Sequence, residues 1–135
     1  MPFLLYDYVS ANGVNEFQLW TARLETIQIA QLNQKLDKVA THGDGMPPDT
    51  LTDSAVPGIK KLRIRVGGVQ LRPMLTKGPL HGEQAYTMLA GATERDFKLH
   101  PIGIEQKSKT RKDEILADPA NRRTTHVRVA KHTHK

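Results

Sequence analysis

Residues 59–76 read IKKLRIRVGGVQLRPMLT. Lys61, Arg63 and Arg65 alternate with Leu62, Ile64 and Val66. Successive side chains of a strand point to opposite faces, so this spacing predicts a strand with one apolar face and one cationic face. Gly67 and Gly68 supply the positive φ angles that a tight hairpin turn needs. The run Val69, Gln70, Leu71, Arg72 resumes the alternation and adds another cation to the polar face. Cations side by side repel one another, so a sheet surface gains nothing from them unless something anionic lies there. Phosphate fits that description. The other reading is a solvated edge hairpin kept soluble by its charge.

Outward from the hairpin, residues 3–9 are aromatic and aliphatic and predict a first strand. Asn15, with Gln18 three residues on, resembles a capping box that starts a helix. Phe17, Trp20, Leu24 and Ile27 then recur at helical spacing, and Ile29, Leu32, Leu36 and Val39 continue to His42. The phase shifts between the two sets, which predicts one bent helix or two helices in a hairpin. Residues 43–58, with Pro47, Pro48 and Pro57, read as a long polar loop. Asp44, Asp49 and Asp53 do not have the spacing of an EF-hand loop. Residues 84–90 predict a further strand, with Tyr86 and Met88 on one face and Thr87 and Leu89 on the other. Residues 103–116 look helical, with Glu105 four residues before Lys109 in the favourable order for an ion pair. Asp118 and Pro119 can begin a short last helix. Residues 126–135 have little apolar content and read as a mobile basic tail on a single domain of residues 1–125.

This order predicts an α+β fold. A small antiparallel sheet of about four strands packs one face on an N-terminal helix or helix hairpin, with a C-terminal helix following. The face bearing Arg63, Arg65 and Arg72 is expected to stay open.

The 135 residues suffice for one core, and the net charge is +6. Residues 1–55 hold 3 Lys/Arg against 7 Asp/Glu, a net of −4, while residues 56–135 hold 17 against 7, a net of +10. A basic half beside an acidic half points to a polyanion or an acidic protein as partner. The chain has no cysteine, which excludes disulfides, thiolate catalysis and Cys-based zinc sites. It has no apolar run of about 18 residues, so no membrane span is expected. The start, MPFLLYDYVS, does not read as a secretion signal. P-loop, dinucleotide, G-x-S-x-G and H-E-x-x-H patterns are all missing. His132 and His134 form an H-x-H in the polar tail, where an incidental origin fits better than a metal site.

Over about residues 3–116 the order and phrases resemble the RelE/HigB-like toxin superfamily, and its phage-derived branch above all. Lys61-Leu62-Arg63 stands where members carry a phrase close to E-L-R. Leu71-Arg72 stands where they carry a Y-R pair, and Ala92-Thr93-Glu94-Arg95 where a strand ends in a basic pair after an aromatic. The resemblance implies a metal-independent mRNA endoribonuclease without a cofactor, often ribosome-dependent, restrained by an acidic antitoxin protein in the cytoplasm. Arg63 and Arg72 carry over by position as phosphate clamps, and Arg95 is what remains of the terminal basic pair. Arg65 joins them by strand geometry, and Lys61, Lys77 and Lys98 are further expected RNA contacts. His100, in a predicted loop, is the candidate proton carrier; His81 is a weaker one. The chain departs from the pattern at Lys61, in place of a glutamate, and at Leu71, in place of an aromatic. Pro73 also removes a ladder hydrogen bond just after Arg72. These departures keep a second expectation in view: a non-catalytic phage virion or assembly protein on the same scaffold, with other virion proteins as partners.

Overall fold

A computed structural model describes residues 2–130. Among the described residues the fold is α+β, with two sheets and four α-helices, so the sheet content exceeds the single sheet of about four strands expected from the sequence. The first strand, β1 (Leu4–Tyr8), leads into α1 (Glu16–Thr21). Asn15 caps α1, accepting from the Gln18 backbone N–H at 2.9 Å. Its amide also donates to Asp7 at 2.9 Å, tying the cap to β1. The expected change of phase is a break between two helices: α2 (Thr26–His42) begins anew behind a Glu25/Gln28 capping box. Ile29, Leu32, Leu36 and Val39 form its buried stripe.

The stretch at 59–76 is a hairpin, as its alternation predicts, but a bent one that serves two sheets. One arm comprises β3 (Lys60–Leu62) and β4 (Ile64–Val66); the other comprises β5 (Val69–Leu71) and β6 (Met74–Lys77). The register is constant across the bend, with Lys61 opposite Met74 and Ile64 opposite Leu71. Pro73 explains the break. Leu62 donates to its carbonyl at 2.9 Å, but proline has no N–H to return the bond. The Arg72 N–H turns instead to Ala92 O at 2.8 Å, just before the next strand of the second sheet.

Beyond the bend, β7 (Ala85–Ala90) is followed by a hairpin of β8 (Thr93–Arg95) and β9 (Lys98–His100), which the sequence did not announce. Then come α3 (Ile104–Ala117), α4 (Pro119–Arg122) and β10 (Arg123–Thr125). The expected polar loop contains a short strand, β2 (Leu51–Asp53). The larger sheet runs β10-β1-β7-β6-β3-β2 and the smaller β4-β5-β8-β9. Within the larger sheet β1 lies parallel to β7, an exception to the expected antiparallel plan.

The larger sheet is covered on both faces, which corrects the expectation of an open one. Tyr86 and Met88 of β7 pack with Leu62, Ile64, Leu71 and Leu75 against α1 and α2. On the other side Leu89 and Met74 pack with Tyr8, Ile59, Ile104 and Ile115 of α3. Burial on both faces is why β7, AYTMLA, carries no charge. Of the expected tail, His126 is bonded to β1 through Leu5 O and Asp7, and Arg128 and Val129 are bonded to α2. The Asn33 side chain donates to Val129 O at 2.9 Å and accepts from its N–H at 3.2 Å, while Arg128 pairs with Asp37 at 2.7 Å. His132 and His134 fall outside the described residues. Among the described residues no helix is long and apolar enough to cross a membrane.

Candidate functional site

The register of the smaller sheet sorts the expected site residues. Arg65 faces Gln70, Gln70 faces Glu94, and Glu94 faces Leu99, so these four share one face. Leu71, Thr93 and His100 share the other, and Arg95 and Lys98, two residues along, point the same way. Arg95 and Lys98 therefore lie on the face opposite to Arg65.

Arg72 does not share an open surface with Arg63 and Arg65. It is 2 % exposed, and its guanidinium is committed on every side. Nε donates to Glu94 at 3.1 Å, Nη1 to Leu71 O at 3.0 Å, and Nη2 to the Gln70 amide oxygen. Burial is tolerated because Glu94 supplies the opposite charge and the other two guanidinium nitrogens each have an oxygen acceptor. Arg63 and Arg65 are exposed and Lys61 is half-buried. Lys77 lies elsewhere again, paired with Asp44 and lining a separate cavity with Phe3 and Gly82.

Arg95 and His100 are brought together. They line a cleft of about 500 Å³ with Glu16, Trp20 and Arg23 from α1 and its C-terminal end, and with Lys107 and Arg111 from α3. The cleft opens where β7 ends, at Ala90 and Gly91. The local reasons are legible. A Cβ placed on Gly91 would fall inside the Trp20 indole, so only glycine lets that ring lie against the backbone there. Lys107 and Arg111 are four residues apart on α3 and share a face. The loop 101–103 carries the chain from His100 to the start of α3.

The wall at Arg111 is fixed. Its Nη1 donates to Leu89 O at 2.7 Å, and its guanidinium lies over the Tyr8 ring at 5.2 Å. The Tyr8 hydroxyl donates to Glu114 at 2.6 Å. Burial, with the Glu114 bond second, pushes the Tyr8 phenol up to about 12, so it stays a donor and not a base. The remaining cations are uncompensated. Among the described residues no ion pair engages Arg23, Arg95, Lys98 or Lys107. Glu16 is the one carboxylate of the cleft lining.

Such a site concentrates positive potential between low walls and suits a phosphate-bearing ligand. His100 and Glu16 bring an imidazole and a carboxylate to the same cleft. Arg23, Lys107 and Arg111 were not legible as site residues. Arg23 sits in the break between two helices, and Lys107 and Arg111 belong to a helix whose charges also fit a solvated face. The signal available was the excess of cations in residues 95–112. No group of three or more His, Asp or Glu among the described residues is placed to hold a metal ion. Comparison with protein-family models, with curated proteins and with solved structures finds no match to this chain.

Proposed function

We propose that this protein is an RNA-binding RelE/HigB-like endoribonuclease that cleaves mRNA in the Arg95–His100 cleft without a metal or cofactor. The observation that carries the reading is the convergence of Arg95 and His100 with Arg23, Lys107 and Arg111 in one cleft. The element order supports the RelE-like arrangement: β1, the α1–α2 pair, the bent hairpin, β7 and then α3 follow the order of that resemblance.

In this reading the ribose 2′-hydroxyl attacks the adjacent phosphorus and gives its proton to Glu16. The bond to the 5′-oxygen breaks, and that oxygen takes a proton from His100. The products are a 2′,3′-cyclic phosphate and a 5′-hydroxyl end. Arg95, Arg23 and Lys107 offset the charge that builds on the phosphate oxygens. An acidic antitoxin would meet the same cations, and the cytoplasm is where the substrate lies. The test is cleavage of mRNA with and without ribosomes. Loss of His100 as a proton carrier should slow cleavage by about 10²–10⁴, and Arg95→Ala by about 10²–10³. Growth arrest on expression should vanish in both variants and persist in Arg63→Ala.

The locked state of Arg72 favours a second reading. The position that best matches the family phrase cannot clamp a phosphate while it holds Glu94. A non-catalytic virion or assembly protein would show this. Wild type would then cleave nothing, expression would be harmless, and the protein would be found in phage particles.

A further inference from the structure

The β8–β9 hairpin ends in Phe97, which is 99 % exposed. Its backbone is as unusual as its exposure. Asp96 and Phe97 have φ of 52° and 62°, and they are the only non-glycine residues with positive φ among the described residues. A two-residue turn of this kind favours Asn-Gly, because a Cβ in the left-handed region crowds the carbonyl that follows it. Phenylalanine here thus serves neither the turn nor the core. Strained positions of this sort cluster where a protein meets a ligand.

The surroundings of the ring indicate the class of ligand. Arg95 and Lys98 face each other across the base of the turn, and Arg95 belongs to the cleft. An aromatic anchor of a protein interface sits at the centre of a desolvated, largely apolar patch. Phe97 is flanked instead by Arg95, Asp96 and Lys98. A lone aromatic face among cations is how proteins hold unpaired nucleobases, with the ring stacked on the base and the cations on adjoining phosphates. Base-paired RNA offers no unstacked base to such a ring.

We propose that Phe97 is a base-stacking finger for single-stranded RNA whose backbone occupies the Arg95–His100 cleft, an inference that rests on the reading of that cleft as an RNA site. Phe97 would thereby place one nucleobase just outside the cleft and set which phosphate lies at His100.

The experiment titrates the full chain into a short single-stranded 2′-O-methyl oligoribonucleotide carrying 2-aminopurine, which cannot be cleaved through its 2′ position. An abasic oligomer of the same length and charge serves as control. Wild type should bind the base-bearing strand more tightly and change its 2-aminopurine emission. Phe97→Gly should lose about five- to a hundredfold in affinity for that strand and keep its affinity for the abasic one. It should also melt a few degrees higher, because glycine relieves the turn. Phe97→Tyr should restore binding, and Phe97→Leu should not. A variant more stable yet weaker in binding is not what a structural role would give. If wild type binds neither strand, the reading of the cleft falls and the finger with it. If wild type binds and Phe97→Gly binds equally well, the finger alone is overturned. Equal losses on both strands would assign Phe97 to the shape of the hairpin, again overturning the stacking role. Self-association lost in Phe97→Gly with RNA affinity intact would assign the tip to a protein contact and overturn the proposal likewise.

Discussion

Arg72 directly follows β5 and Arg95 ends the neighbouring β8, and their neighbours in sequence hardly separate them. Leu71 precedes one and Glu94 the other. Arg72 has three oxygen acceptors and almost no contact with solvent. Arg95 is exposed, lines the cationic cleft and pairs with no carboxylate among the described residues. The glutamate beside Arg95 in sequence points away from it, to the opposite face, where it neutralises Arg72. A buried and paired cation is a structural element whose loss is felt as instability. An exposed cation among other cations raises local potential and is felt as affinity. The count of arginines along a strand therefore says less about a ligand than the destination of each carboxylate.

The largest effect expected from this contrast is on Arg72→Ala. Breaking a buried pair by removing one partner costs about 3–5 kcal/mol. Glu94 retains some access to water, which places this case near the low end. A fall in Tm of roughly 10 °C is expected for a chain of this size, read by thermal unfolding followed by circular dichroism. Adding Glu94→Gln to the variant should recover part of the loss, because the uncompensated charge goes. An Arg72→Ala protein as stable as wild type, with RNA affinity abolished, would invert the comparison and return Arg72 to the phosphate site.

Next in size is Gly91→Ala at the floor of the cleft. The added Cβ has no room beside the Trp20 indole, so the ring or the end of β7 must move. Overpacking of this kind costs about 1–3 kcal/mol. The Trp20 fluorescence should shift with the loss of stability, and this is the chain's single tryptophan. An unchanged Tm and emission would show that Trp20 does not form this wall.

Arg95→Ala is the counterpart of Arg72→Ala. Stability should stay within about 0.5 kcal/mol of wild type, as for exposed positions generally. RNA affinity should fall about tenfold at low salt, and the slope of log K against log salt should flatten by about one charge. A large stability loss in this variant, or an unchanged salt slope, would break the distinction between the two arginines.

The fold was legible where one local signal met no competitor. The alternation of residues 60–66, the stripe of α2 and the Asn15 cap all stand in the structure as read, while the expected Gly67-Gly68 turn takes a positive φ at Gly67 alone. The bend at Arg63 and Pro73 was half legible. Pro73 announces a missing ladder bond, but only tertiary structure shows that the chain uses it to change sheets. Two short strands, β8 and β9, escaped because three-residue strands carry too little periodicity, and because Asp96-Phe97 is poor turn chemistry. The expected Glu105–Lys109 pair is replaced. Lys109 bonds Asp113 at 2.7 Å, and Glu105 accepts from the Ala55 N–H at 2.9 Å. Of the expected site residues, Arg95 and His100 meet in the cleft. Arg72 and Lys77 are diverted by Glu94 and Asp44, partners distant in sequence that no spacing rule could supply.

Lys77 stands between the two arginines and gives the smallest effect. It is half-exposed and paired with Asp44, which also accepts from the Tyr86 hydroxyl. The Lys77 bond first, and the Tyr86 bond second, hold the Asp44 carboxyl below its ordinary value of 3.8. A carboxylate whose value is depressed on folding adds stability above its unfolded value, and that stability is lost as pH falls through the folded one. Asp44→Asn isolates the charge, because the amide oxygen can still accept from Tyr86. At neutral pH the variant should be less stable by no more than about 1 kcal/mol, since both partners are half in water, and added salt should shrink the gap. The gap should shrink as pH falls below the ordinary carboxylate value and close below the depressed one, where the folded wild type is itself protonated at this position. Thermal unfolding of both proteins from neutral to strongly acid pH makes the check. A gap that persists undiminished in acid would mean that Asp44 acts through shape alone. Lys77 would then be a free cation like Arg95 and not a partly neutralised one like Arg72.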